Sequence, residues 1–140
     1  MSMFPPEMPV PLVEPLTEPY WAAAREGRLV IQRCTDCGAH RHLPHVLCPA
    51  CGSTACDWDT SAGRGTVFTY TVVTHPVHAA VTEVVPYAVV VVELEDCGNV
   101  LMPSNVVDCP PDDVHVGMAV EVVFDRVTDE ITIPRFRRAD

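Results

Sequence analysis

The sequence predicts a mostly β protein: a short N-terminal helix, a four-cysteine zinc ribbon, then a five-stranded barrel of the OB-fold kind. Three observations carry this. Two Cys-x-x-Cys-Gly turns, Cys34 to Gly38 and Cys48 to Gly52, lie ten residues apart, a spacing at which four thiolates converge on one tetrahedral metal. Beyond Gly65 the chain consists of short runs rich in valine and threonine, separated by turn signals. Before the cysteines, six prolines among the first nineteen residues mark an extended start, with a short helix expected from Thr17.

The elements follow in order. Residues 1–16 read as an extended proline-rich arm, because proline removes backbone donors and biases its predecessor away from helix. Its apolar content (Phe4, Met8, Val10, Leu12, Val13) suits a strap lying on a partner subunit better than a solvated tail. Residues 17–62 read as helix and ribbon. Thr17 is placed to cap a helix to Glu26, Pro19 is tolerated in the first turn, and Gly27 stops it. Arg28 to Arg33 is a strand entering the first knuckle, Ala39 to Leu47 a linker, and a strand with Trp58 follows Cys51.

Residues 63–140 read as the barrel. Ser61 to Gly65 is a turn. Strands are expected over Thr66 to Thr74, Val84 to Leu94, Asn99 to Val107, Ala119 to Asp125 and Ile131 to Phe136. The nearly unbroken apolar run from Val84 predicts a central strand buried on both faces. Pro86 belongs at its start, and Pro103 marks an edge or a bulge in the next strand. Five short strands in about seventy residues match a small, partly open barrel.

Charge narrows the function. The net charge is −10, all nine basic residues are arginines, and none lies between Gly65 and Asp125. That acidic span argues against nucleic acid, whose binding needs cations to displace phosphate counterions. The longest apolar run is too short to span a bilayer. The start lacks a basic region followed by an apolar stretch, so the expectation is a cytoplasmic protein. Seven cysteines, four at metal spacing, fit a reducing compartment better than a disulfide scaffold.

The metal ligands are Cys34, Cys37, Cys48 and Cys51. With all four positions filled by sulfur, zinc there is structural, since a catalytic zinc keeps one position open. Cys56 lacks a partner at knuckle spacing. Cys97 and Cys109 could act as nucleophiles with His75, His78 or His115 as base, but nothing electropositive surrounds either, so no lowered thiol pKa is expected. Glu93, Glu95 and Asp96 read as a solvated turn, and His75-Pro76-Val77-His78 as a loop. No catalytic residue is assigned. Arg64, between two glycines at the junction of ribbon and barrel, suits either contact with a phosphate or carboxylate or a bridge between the modules. Arg135, Arg137 and Arg138 suit an anion or an acidic partner, or are solvated tail charges.

Several short stretches recur in a familiar order: Pro19-Tyr20-Trp21, Gly27-Arg28-Leu29, Arg33-Cys34-x-x-Cys37-Gly38, Leu43 to Cys48-Pro49-x-Cys51-Gly52, Trp58, Ser61-x-Gly63-Arg64-Gly65-Thr66-Val67, Pro86-Tyr87 and Gly117-Met118-x-Val120. Together they resemble a family that joins an N-terminal helix, a rubredoxin-like zinc ribbon and an OB-fold. Its members accompany acyl-CoA enzymes, chiefly thiolase-like proteins, hydratases and steroid side-chain aldolases. The resemblance implies a non-catalytic accessory subunit with structural zinc, a thiolase-like or aldolase partner reached through arm, helix and barrel, and a share in the path of a CoA thioester. It places the chain in a heteromeric complex of lipid or steroid degradation. His45 stands where the family usually has an arginine, and Leu43 where it has the first of two prolines. A neutral histidine would hold a phosphate poorly, so His45 is a weaker candidate than Arg64 for contact with CoA or partner. The alternatives are a stand-alone module that binds CoA or an acyl chain and, disfavoured by charge, a nucleic-acid-binding OB protein.

Overall fold

A computed structural model describes residues 2–140. Helix α1 (Glu18–Arg25) carries Pro19 in its first turn and buries Tyr20, Ala23 and Ala24 on one side. Thr17 stands at the N-cap position without making the expected side-chain cap. Its hydroxyl is turned back onto Glu14, accepting from the N–H at 3.2 Å and donating to the carbonyl at 3.3 Å. The other end behaves as anticipated. Gly27, at φ 77°, lets its own N–H reach the Ala24 carbonyl and the Arg28 N–H reach the Ala23 carbonyl, both at 2.9 Å, which satisfies the last open carbonyls of the helix.

The chain then enters a three-stranded antiparallel sheet in the order β2-β1-β3, made of β1 (Leu29–Cys34), β2 (His40–Arg41) and β3 (Cys56–Ser61). The two-residue β2 falls inside the stretch expected as linker; it is too short to leave a period in the sequence. α1 packs on β1, and Tyr20, Leu29 and Ile31 join the core of the barrel beyond.

The barrel strands are β4 (Arg64–Val73), β5 (Tyr87–Leu94), β6 (Val100–Val107), β7 (Ala119–Arg126) and β8 (Thr132–Arg138). They form a closed barrel, β4-β5-β6-β8-β7, not the partly open one expected. Closure comes from β4 serving two neighbours. Its first residues pair with β7 (Arg64↔Glu121, Thr66↔Ala119), and from Thr66 onward it pairs with β5 across a bulge at Phe68. Gly65 permits the close approach, because a Cβ there would run into the Glu93 carbonyl and the Val92 side chain. A short parallel pairing of β6 with β8, Val106↔Phe136 and Val107↔Arg137, completes the ring.

β5 shows how the valine run is used. Val90, Val92 and Leu94 are wholly buried inside the barrel, while Val89, Val91 and Glu93 on the other face are half-buried. Burial on both faces is therefore only partial. Pro86 precedes the strand, as expected. Pro103 lies on the part of β6 that pairs with β5 while β8 pairs only farther along, which fits the edge reading. Val120 is buried, and Val122 and Phe124 on the same face of β7 pack against the core.

The first described residues of the arm lie on the chain's own barrel. The Ser2 hydroxyl and the Met3 N–H both donate to Asp125 on β7, at 3.2 and 3.0 Å. The Phe4 ring meets Tyr87 edge-on with centroids 5.2 Å apart. Leu12, farther along the arm, is 84% exposed. No helix among the described residues is long and apolar enough to cross a membrane.

Candidate functional site

The four predicted ligands come together. The sulfurs of Cys34, Cys37, Cys48 and Cys51 all lie within 4.8 Å of one another, with Cys34–Cys51 and Cys37–Cys48 each 3.6 Å apart. Four sulfurs at about 2.3 Å from a tetrahedral zinc stand about 3.8 Å from each other, so the set fits such an ion. Each knuckle is closed by a glycine at φ 79°, Gly38 and Gly52. This bend aims backbone N–H groups at sulfur: Cys34 accepts from Cys37 and Asp36, Cys37 from Ala39, Cys48 from Cys51 and Ala50, and Cys51 from Ser53.

These donors lower every thiol, and the sulfur–sulfur pairs then divide them. The Cys37 N–H chiefly draws Cys34 down to about 6, and the Cys51 N–H likewise lowers Cys48. Cys51 receives the Ser53 N–H, yet the neighbouring Cys34 sulfur and burial push it up to about 12. Cys37 rises as well: the Ala39 N–H lowers it, and Cys48 and burial outweigh that. A second thiolate in each pair is thus disfavoured by the first, and holding four together calls for a divalent cation among them.

The surroundings fix the knuckles to the sheet. Gln32, buried in β1, donates to the His45 carbonyl at 3.1 Å and accepts from the His45 N–H at 2.9 Å. Arg41 donates to the same carbonyl through Nε and Nη2, at 3.3 and 3.0 Å. Its Nη1 is buried without a hydrogen-bond partner among the described residues. His45 is therefore anchored by its backbone, and its imidazole is exposed. Asp59 receives His40 Nε2 at 2.8 Å and Arg33 Nε at 3.0 Å. The His40 hydrogen bond first, then Arg33, holds its carboxyl below the usual range. His42 lies 5.4 Å from the Tyr20 ring, and burial lowers it to about 4, so it is neutral in the fold.

The remaining candidates scatter. Arg64 is exposed and 3.5 Å from Glu121 on β7, so it does not bridge barrel to ribbon. Arg137 reaches the same carboxylate at 3.0 Å. The two are cross-strand neighbours of Glu121 in register, and the three form one row on β4, β7 and β8. Arg64 and His45 share no hydrogen bond. Asp96 is exposed in its turn, as expected, and it also accepts from the Ser61 hydroxyl at 3.0 Å and from the Ala62 N–H at 2.8 Å, tying ribbon to barrel. Cys97 is buried in the core, and burial with the Asp96 charge pushes its thiol up to about 11, the reverse of an activated nucleophile. Cys56 stands across from Cys34 and accepts from Gln32 at 3.4 Å. His78 caps the 3-10 turn Ala79–Val81, and His115 contacts the Asp113 carbonyl at 3.0 Å. Among the described residues only the four cysteines form a metal-ready group.

Sequence reasoning missed one polar centre. Arg135, grouped with the tail cations, is 4% exposed. Its Nε donates to Asp125 and its Nη1 to Asn105, each at 2.7 Å, and the Asn105 amide donates to the Ala88 carbonyl at 2.8 Å. Phe4 covers the guanidinium at 5.1 Å. The one available signal was a hairpin holding opposite charges ten positions apart.

Comparison with known proteins follows the same division. Residues 21–57 match the model of the ChsH2 rubredoxin-like zinc ribbon domain, and residues 58–125 that of the ChsH2 C-terminal OB-fold domain. A DUF35 domain-containing scaffold protein of Methanocaldococcus jannaschii is 34% identical over 112 residues, covering 79% of this chain and 77% of that protein. The chain belongs to the DUF35 family. Another relative is a probable enoyl-CoA hydratase alpha subunit of Thermomonospora curvata. It is 42% identical over 122 residues, 86% of this chain but 36% of its own length, so this chain spans about a third of that relative. The solved structure "Ltp2-ChsH2(DUF35) aldolase" contains a chain that superposes with TM-score 0.83 and 37% identity, over 94% of this DUF35 chain and 100% of that one.

Proposed function

We propose that this chain is a non-catalytic accessory subunit of a thiolase-like acyl-CoA enzyme, a thiolase or side-chain aldolase, which it stabilises and whose CoA-thioester path it helps to form. The observation that carries the reading is the superposition on a complete chain of an aldolase assembly at 37% identity. The relative named as a hydratase subunit adds an acyl-CoA setting in which the module is one part of a longer protein.

The metal is zinc, since four thiolates in two knuckles are its preferred structural donor set. Cys34, Cys37, Cys48 and Cys51 would hold it, and its contribution is to fix the ribbon. The apolar linker residues Leu43, Val46 and Leu47, each at least 56% exposed, and Leu12 of the arm supply surface for the partner. Arg64 is the residue assigned to a CoA phosphate, with Arg137 beside it. Two guanidiniums on one Glu121 carboxylate leave an excess cation on an exposed face. His45, whose side chain is exposed, is assigned to partner contact rather than to phosphate. The setting is the degradation of a lipid or steroid side chain in the cytoplasm.

Size-exclusion chromatography of the chain co-expressed with a neighbouring thiolase-like protein tests the assembly; two separate peaks would refute it. Calorimetry with free CoA on the isolated chain separates this reading from a stand-alone CoA module. The accessory reading predicts no measurable heat without the partner. In the complex, Arg64→Ser with Arg137→Ser should raise KM for the thioester several-fold and leave co-elution intact.

A further inference from the structure

Strand β4 is left open along its second half. Only Arg64, Gly65 and Thr66 pair with β7, and Val67 exchanges hydrogen bonds with Met118 and Gly117. Past the bulge at Phe68 the strand pairs with β5 alone, from Thr69 to Val73. The direction of its free groups follows from β5. The Ala88 carbonyl accepts from the Asn105 side chain on β6 at 2.8 Å, so Ala88 faces β6 and Val89 faces β4. Thr71↔Val89 is therefore a hydrogen-bonded pair. Tyr70 and Val72, on either side of Thr71, turn their N–H and C=O groups away from β5. These groups have no hydrogen-bond partner among the described residues.

Proteins blunt such edges with charge, proline or shortness. The other open edges of this chain are blunted in these ways. β3, paired only with β1, carries Asp57 and Asp59. β6 carries Pro103 on the part that β8 does not reach. β2 has only two residues. Phe68 to Val73, by contrast, contains no charge, proline or glycine. Phe68 and Tyr70 are 52% and 40% exposed, so nothing in this chain covers the strand. Left uncovered, an edge of this composition promotes aggregation.

The edge selects its occupant. Open N–H and C=O groups at strand spacing are matched by another extended polypeptide backbone. Charge then decides between a second copy and a foreign chain. Gly65 to Asp125 holds nine acidic residues and no basic one, so two copies joined through β4 would set like charge against like. A segment bearing arginine or lysine beside its apolar positions would be attracted.

We propose that the open edge of β4 takes up an extended, cationic segment of another polypeptide as an added strand, hydrogen-bonded to Tyr70 and Val72. The edge reads backbone and charge, whatever protein supplies the strand, so this site stands or falls apart from the acyl-CoA assignment.

The test titrates the full metal-loaded chain with the peptide Arg-Thr-Val-Thr-Val-Thr-Arg, acetylated and amidated, by calorimetry. Saturable one-to-one binding is expected, and the Tyr70 and Val72 amides should gain exchange protection. N-methylation of the peptide's central amides should weaken binding about tenfold or more, and so should replacement of its arginines by glutamates. Val72→Pro removes an outward N–H and spares the pairing with β5, the position at which an edge strand tolerates proline. It should weaken binding to the same degree. Tyr70→Pro reports in the same way if the first variant does not fold. Absence of saturable binding overturns the proposal. So does binding untouched by N-methylation, by charge reversal or by both prolines. A chain that sediments as a dimer and becomes a monomer on Val72→Pro overturns it too, since the edge would then belong to a second copy.

Discussion

Asp125 Oδ2 stands 2.7 Å from Arg135 Nε, and the same oxygen accepts from the Ser2 hydroxyl and the Met3 N–H. One carboxylate thus holds both a buried guanidinium and the start of the arm. A buried pair contributes little net stability over an apolar replacement, yet removing one member leaves an uncompensated charge.

Asp125→Ala should therefore destabilise the chain by about 3–5 kcal/mol, and it should release the arm. Chemical denaturation reads the first effect, and limited proteolysis within residues 2–16 the second. A variant with unchanged midpoint and a protected arm contradicts the role given to Asp125.

Removing the metal should act on the ribbon first. Cys37→Ser or Cys48→Ser, or a chelator, should strip amide-exchange protection from residues 29–61, because metal affinity is folding free energy in such a module. The barrel should keep its protection at reduced stability, since Leu29 and Ile31 belong to the shared core and each buried aliphatic contributes roughly 1.5–3 kcal/mol. Loss of the partner should accompany loss of the ribbon. An intact complex with a dead active site would falsify the structural role of the metal.

His42 gives a pH signature. Burial beside Tyr20 lowers it from 6.5 to about 4, so between those values the unfolded chain binds a proton that the fold refuses. Its contribution is fully present above pH 6.5 and lost as pH falls toward 4, a loss of order 1–3 kcal/mol. Asp59, also lowered, acts in the same direction but only below its ordinary carboxylate value. Denaturation midpoints from pH 7 to 4.5 should fall more steeply for the wild type than for His42→Phe. Parallel curves contradict a buried neutral His42.

Gly65→Ala should disturb barrel closure, because its Cβ meets the rigid Glu93 carbonyl. A cost of about 1–3 kcal/mol is expected, with increased exchange at the paired residues Thr66 and Ala119. Gly27→Ala, where a Cβ meets nothing, should cost only the strain of its positive φ, about 1 kcal/mol.

The knuckles were legible because Cys-x-x-Cys-Gly specifies ligand, turn and backbone angle within five residues. The barrel strands were legible because β-branched runs and prolines mark them locally. Arg135 was not. Its burial depends on Phe4 and Ser2, more than a hundred residues away, and next to Arg137 and Arg138 it looked like tail charge. Asp96 and Cys97 were hidden for a similar reason: their turn packs against Ser61 and the core, a contact set by how ribbon and barrel meet. Arg64 lay where the sequence put it, at the junction, but its partner Glu121 came from a strand fifty-seven positions on. The proline-rich composition predicts an extended arm but not that Ser2, Met3 and Phe4 contact Asp125 and Tyr87 of the same chain, a pairing of residues more than eighty positions apart.

The most direct test is turnover of an acyl-CoA substrate by the purified thiolase-like partner, with and without this chain. The account predicts that the partner alone is poorly soluble or nearly inactive, and that adding the zinc-loaded chain restores turnover at one-to-one stoichiometry. A partner that is soluble and fully active alone, and unchanged on addition of the chain, would contradict it.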